Sequence, residues 1–142
     1  MKISSLLPII PIAILAYCAP AAKQPEVISV NGKMTPSEMG TTLIHEHILV
    51  DFIGADSVGY HRWDRDSVIA QTLTFLVDAR KRGVNTLIDC TPAYLGRDPW
   101  LLQELSELSG LTIITNTGYY GAVGNKYLPE HAFTETAEQL AT

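Results

Sequence analysis

Three short apolar runs constrain this chain most: Thr42 to Val50 (TLIHEHILV), Val84 to Thr91 (VNTLIDCT) and Leu111 to Thr117 (LTIITNT). Each is continuous rather than alternating, which fits strands covered on both faces, as in a parallel sheet. Helix signals follow each run. After the first, Asp66 is placed to cap a helix in which Ile69, Leu73, Leu76 and Val77 recur at helical spacing, and which ends in ARKRG. Those basic residues suit a helix C-terminus, and Gly83 suits the position just past it. After the second, Asp98-Pro99 reads as a cap followed by proline in the first turn, with WLLQELSELS running to Gly110. A long polar and aromatic loop follows the third run, and FTETAEQLAT opens a third helix. The order strand, helix, strand, helix, strand, helix predicts an α/β fold whose chemistry sits at the C-terminal ends of the strands. Upstream, VISVNGKM reads as a short β-hairpin turning at Asn31-Gly32, and TPSEMG as a short helical turn.

The length, 142 residues, suits about one domain. Ten basic and fifteen acidic side chains give a net charge of −5 with no basic run, which argues against a nucleic-acid partner. Residues 1–22 differ from the rest. Lys2 precedes ISSLLPIIPIAILAY and then CAPAA, the order of a secretory signal peptide, with Ala19-Pro20-Ala21 as its cleavage site. The apolar run falls short of the roughly 20 residues that span a bilayer and contains Pro8 and Pro11, so no transmembrane segment is expected in the mature chain, residues 23–142. The expected destination is the periplasm or the exterior. Cys18 stands where a bacterial lipoprotein would be cleaved and lipidated, although Tyr17 is large for the preceding position; lipid anchoring is the alternative to soluble export. With the leader removed, Cys90 is the one cysteine left, which excludes an intramolecular disulfide and suits a small buried hydrophobe.

His45 and His47 flank Glu46 inside the first apolar run. On a strand, residues two apart share a face and lie roughly 6.5 Å apart, so the two imidazoles can converge on one ion while Glu46 points away. On a helix they would diverge by about 200°. Neutral imidazole is a good ligand for zinc and similar divalent ions. The plainer alternative is a pair of core histidines satisfied by backbone carbonyls. His61 and His131, in loops without ligand spacing, are expected to be exposed. Arg97 and Asp98 read as a helix start with a surface or interstrand ion pair and no catalytic part.

GTTLIHEHILVD resembles the first-strand motif of the phosphotriesterase family within the amidohydrolase superfamily. LIDCTPAYLGRD is similar to that family's second strand, and IITNTGYY to its third, ending in Thr-Gly and an aromatic residue. The resemblance implies an α/β fold that is the N-terminal part, about three β/α units, of a metal-dependent (β/α)8 barrel preceded by a short hairpin. It implies that His45 and His47 bind the more buried ion of a binuclear centre, with Zn expected and Co, Mn or Fe as alternatives. A bridging hydroxide there would attack a small-molecule lactone, ester or phosphotriester. Tyr120 stands where the family places an aromatic wall beside the metals, with Tyr119 as the substitute if the alignment slips by one. Asp89, ending the second strand, is a candidate to hydrogen-bond a ligating histidine, with loop capping as its alternative. A homodimer is compatible with the resemblance.

The family's remaining ligands, a lysine that is usually carbamylated, two histidines and an aspartate, come from later strands that this sequence does not contain. Such a barrel takes about 250 residues, and three strands cannot close one. The expectation is therefore an incomplete barrel domain, an N-terminal fragment with no catalytic residue of its own, inactive alone, with the outer edge of its third strand unpaired. The competing expectation is a genuine short secreted module, non-catalytic, that keeps His45 and His47 as a weak metal or partner site.

Overall fold

A computed structural model describes residues 24–141; the leader 1–22, with Cys18 and its cleavage site, lies outside the described residues. A helix between two strands of one sheet carries the chain back to its starting end, so successive strands run parallel. Strands β1 (Val27–Ser29) and β2 (Gly32–Met34) form an antiparallel hairpin. Strands β3 (Thr42–Glu46), β4 (Thr86–Asp89) and β5 (Thr112–Thr115) form a parallel sheet with β4 in the middle. Helix α1 (Arg65–Lys81) joins β3 to β4, and α2 (Pro99–Ser109) joins β4 to β5. A four-residue helix, α3 (Ala137–Leu140), capped by Thr136, lies near the end of the described chain.

One side of the sheet carries the core. Leu87 of β4 and Ile113 of β5 pack with Leu101, Leu102 and Leu105 of α2, Leu76 of α1 and Leu111. The buried positions of α2 recur along a single helical stripe, so each leucine adds burial worth about 1.5–3 kcal/mol. The opposite face of the sheet carries no described helix. At the edge of the sheet, flanked only by β4, β3 is not the buried strand its composition suggests: Ile44 is 74% exposed and Leu43 lies at the margin of exposure. The strand also stops at Glu46 rather than continuing to Val50, because the Asp89 carboxylate captures the Ile48 amide at 3.0 Å. The edge expected to be bare, that of β5, is instead met by the hairpin: the Val30 amide donates to Ile113 O at 2.9 Å, and Asn31 Nδ2 to Ser106 Oγ at 2.8 Å. The turn itself is Val30–Asn31, with Gly32 already paired to Ser29 at a φ of 117° that side-chain-bearing residues rarely adopt.

Helix α1 is capped by Asp64, not Asp66. A cap needs extended backbone just before the first helical residue, and Asp64 has it, accepting from the Ser67 amide at 2.9 Å. Asp66 sits inside the first turn, where its charge faces the positive end of the helix.

Asp98 departs further from expectation. It is buried and pairs with Arg65, not with a surface neighbour. Its carboxylate accepts from Arg65 Nε at 2.7 Å, Arg65 Nη2 at 3.0 Å, Trp63 Nε1 at 3.0 Å and the Leu101 amide at 3.2 Å. One side chain thus caps α2 and ties it to the start of α1. The Arg65 guanidinium lies over the Tyr60 and Trp100 rings, 5.4 and 5.5 Å from their centroids. Burial pushes the Asp98 carboxyl upward, but the bonds from Arg65, Trp63 and Leu101 outweigh it and hold the group below its ordinary value.

A group whose folded-state pKa is depressed contributes stability above its unfolded value, about 3.9, and loses it as pH falls through the folded value. Asp98→Asn should therefore destabilise the fold by about 2 kcal/mol at pH 7, less than the roughly 3–5 kcal/mol of a fully buried pair because Arg65 retains access to water. Urea melts of parent and variant should draw together as pH falls below about 3.9 and converge only beneath the depressed folded-state value, where both side chains are neutral. A gap that persists undiminished in acid would count against the charged pair.

Candidate metal centre

β3 delivers the two histidines differently. His45 is the penultimate residue of the strand and His47 the first beyond it. The pairing of β3 with β4 slips between Leu43 and Glu46, a bulge that re-aims the strand end. His45 and His47 nonetheless share a side: their ring centroids lie 5.3 Å apart, edge to face at 73°. Both rings are exposed on the face away from the helices, while Glu46 between them is half-buried.

The geometry suits a shared ion. A metal about 2 Å from one nitrogen of each ring lies ~3 Å from each centroid, and a tetrahedral angle then sets the centroids ~5 Å apart. His47 is held in place: its Nδ1 meets Thr91 Oγ1 at 3.0 Å. With the threonine oxygen accepting, Nδ1 keeps its proton and the Nε2 lone pair is left for an ion. Among the described residues no group of three or more His, Cys, Asp or Glu could hold a metal. The residues present therefore fit part of one ion's shell and not a binuclear centre.

Asp89 reaches neither histidine ring. Buried at the end of β4, it accepts from the Ile48 amide at 3.0 Å and the Thr91 amide at 2.7 Å. It thereby fixes the backbone beside His47 and the backbone of the residue that orients His47. Thr91 was not singled out by sequence; the one available signal was a hydroxyl just beyond a strand that ends in Asp. Next along the chain, Gly96 has a φ of 111°, and a Cβ there would stand 3.0 Å from Asp51 N and 3.1 Å from Leu49 O. The Gly96-Arg97-Asp98 stretch thus has three separate duties. Gly96 admits the backbone that follows the histidines, Arg97 donates to Asn116 O, and Asp98 joins the helices.

The two tyrosines point apart. Tyr120 is 43% exposed and stacks on Tyr127, centroids 5.7 Å apart at 31°, and Tyr127 in turn meets Phe52 of the loop that follows the histidines. Tyr119 turns the other way, its hydroxyl 3.0 Å from His131 Nε2. His131 is consequently half-buried among Tyr94 and Tyr119 rather than exposed, because aromatic edges provide it with both packing and a hydrogen bond. His61 is exposed, as its loop position implies. A cleft of ≈ 600 Å³ opens between Tyr60, Trp63, Tyr94, Arg97, Thr117 and Tyr119, and its lining includes neither His45 nor His47.

The fold is an α/β arrangement with a parallel β-α-β sheet and an antiparallel hairpin, and it aligns in part with solved barrel structures of the same kind. A triple mutant of the organophosphorus hydrolase from Deinococcus radiodurans superposes with a TM-score of 0.68 at 31% identity, over 84% of this chain and 37% of that one. The "Phosphotriesterase homology protein" of Escherichia coli K12 is 31% identical over 102 residues, 72% of this chain and 33% of the relative. The aryldialkylphosphatase of Saccharolobus solfataricus is 29% identical over 104 residues, 73% of this chain and 32% of the relative. The chain spans about a third of the length of the curated relatives it matches. The sequence profile of the phosphotriesterase family matches residues 25–142, and the chain belongs to that family.

Proposed function

We propose that this chain is the N-terminal portion, about three β/α units, of a metal-dependent (β/α)8-barrel hydrolase that cleaves lactones or carboxylic esters, with phosphotriesters as a further substrate class. It is related to hydrolases through the family and through the aryldialkylphosphatase. The observation that carries the reading is the convergence of His45 and His47 at the C-terminal end of a parallel strand, 5.3 Å between rings, with His47 oriented by Thr91. That end of the sheet is where α/β folds place their chemistry.

In this reading His45 and His47 hold one of two divalent ions, zinc by preference, and the remaining ligands lie on strands outside this sequence. When bound, such ions lower the pKa of water and polarise the carbonyl or phosphoryl oxygen under attack. Thr91 sets the tautomer and tilt of the His47 ring, and Asp89 positions Thr91 and the backbone beside His47. Tyr120, braced by Tyr127, forms a wall against which the acyl or aryl part of a substrate rests. Export through the leader 1–22, with or without a lipid on Cys18, places the enzyme outside the cytoplasm.

The coding DNA beyond Thr142 provides the direct test. Continuation into strands bearing a lysine, two histidines and an aspartate supports the enzyme, whereas a stop codon, with a short product by intact mass, favours a non-catalytic module. For the full-length protein, His45→Ala combined with His47→Ala should remove most bound metal and most esterase activity, read by elemental analysis and lactone hydrolysis. Unchanged metal content would refute the ligand assignment. Thr91→Val keeps the volume and removes the hydroxyl; it should weaken metal affinity about 10- to 100-fold in a chelator competition, the usual cost of losing a partner that orients a ligating histidine.

A further inference from the structure

Among the described residues, Arg97 is the one half-buried basic side chain without a carboxylate partner. Its Nη1 donates to Asn116 O, while Nε and Nη2 meet no acceptor among the described residues. The adjacent carboxylate cannot serve, because both oxygens of Asp98 are engaged by Arg65, Trp63 and Leu101. A guanidinium does not give up its proton, so the charge stays, and a half-buried charge is costly until an anion meets it.

Space for that anion is open. The cleft of ≈ 600 Å³ has Arg97 in its wall, a size ordinary for small-molecule sites, and no Asp, Glu or second basic side chain lines it. Its one formal charge is therefore positive, in a chain whose net charge is −5.

Much of the remaining wall is flat and aromatic. Tyr60 and Trp63, just before α1, meet edge to face with centroids 5.7 Å apart, and Tyr94 and Tyr119 do the same at 5.7 Å. Tyr94 is held there against its backbone preference. It is the third residue of a turn closed by the Leu95 amide on Pro92 O at 3.2 Å, and its φ of 64° is one that glycine adopts freely and tyrosine does not. Strain of that kind persists where the side chain has a task. The Tyr94 hydroxyl has no hydrogen-bond partner among the described residues; burial first, then Tyr119 and Glu135, push the phenol up, so it remains an O–H donor.

We propose that this cleft is a second small-molecule site, separate from the histidine pair, for a carboxylate carried on a flat aromatic body, with the anion on Arg97 and the ring among Tyr60, Trp63, Tyr94 and Tyr119. The planar fork of an arginine matches the two oxygens of a carboxylate, and aromatic edges and faces suit a flat ring.

The test is calorimetry on the full-length protein with benzoate, its neutral isostere benzamide, and acetate, which has the charge without the ring. The parent should bind benzoate about tenfold more tightly than either of the others. Arg97→Gln keeps a donor for Asn116 O and removes the charge; it should bring benzoate down to the level of benzamide and leave benzamide unchanged. Tyr94→Gly suits the turn and deletes one wall with Arg97 intact, so it should weaken benzoate and benzamide alike by about fivefold, which keeps the question open to measurement if Arg97→Gln does not fold. Protein carrying both His45→Ala and His47→Ala should bind benzoate as the parent does. Equal affinity for benzoate and benzamide, acetate binding as tight as benzoate, or a benzoate preference that survives Arg97→Gln would overturn the proposal. Loss of benzoate binding in the double histidine variant would overturn it too, by placing the carboxylate on a metal. So would a full-length parent that binds no benzoate, the result expected if chain beyond Thr142 fills the cleft. Because binding is read without turnover, the outcome is independent of the hydrolase reading.

Discussion

The buried carboxylate of Asp89 organises the C-terminal edge of the sheet. It sits at the end of the central strand and accepts from the backbone on both sides, at Ile48 and at Thr91. Neither bond is to a functional side chain, yet both bear on His47, one through the adjacent peptide and one through the threonine that meets its ring. Charge-assisted bonds of this kind, shielded from water, are among the stronger ones available to a fold. Their effect is to end β3 early and to turn its last residues toward the open face, where a metal can reach them.

A second buried carboxylate does comparable work among the helices. Asp98 satisfies an orphan amide of α2 and neutralises Arg65 of α1, so the two helices that cover the sheet are registered by one side chain. Between the two carboxylates lies Gly96, whose missing Cβ lets the segment after the histidines pack against the loop after β4. The loop segment therefore links the site to the scaffold with little slack.

Much of this was legible in the sequence, and the unread part has physical causes. The helices were legible because apolar spacing and caps are local, though Asp64 rather than Asp66 caps α1 because capping depends on the backbone of the preceding residue. The shared face of His45 and His47 was legible from strand alternation. The bulge beside them was not, since a register slip belongs to the pair of strands and leaves no mark on either one. Thr91, 44 residues from His47, and Arg65, 33 residues from Asp98, could not be assigned as partners from spacing. The exposure of β3 was misread because an apolar run states what a strand prefers to bury and not whether a neighbour is present to bury it.

The sequence by itself determined the order of elements, the parallel sense of the three strands, the family and the two histidines that can share an ion. The family rests on the resemblance of three strand motifs; the rest follows from short-range periodicity, turn chemistry and residue type, which act within a few residues along the chain. Only the tertiary structure decided which hydroxyl orients His47, which carboxylate joins the helices, which way each tyrosine faces and which half-buried guanidinium is left without a carboxylate. Those outcomes depend on strand register and on loops meeting in space, and hydrogen bonds between distant segments form only once the sheet has aligned them.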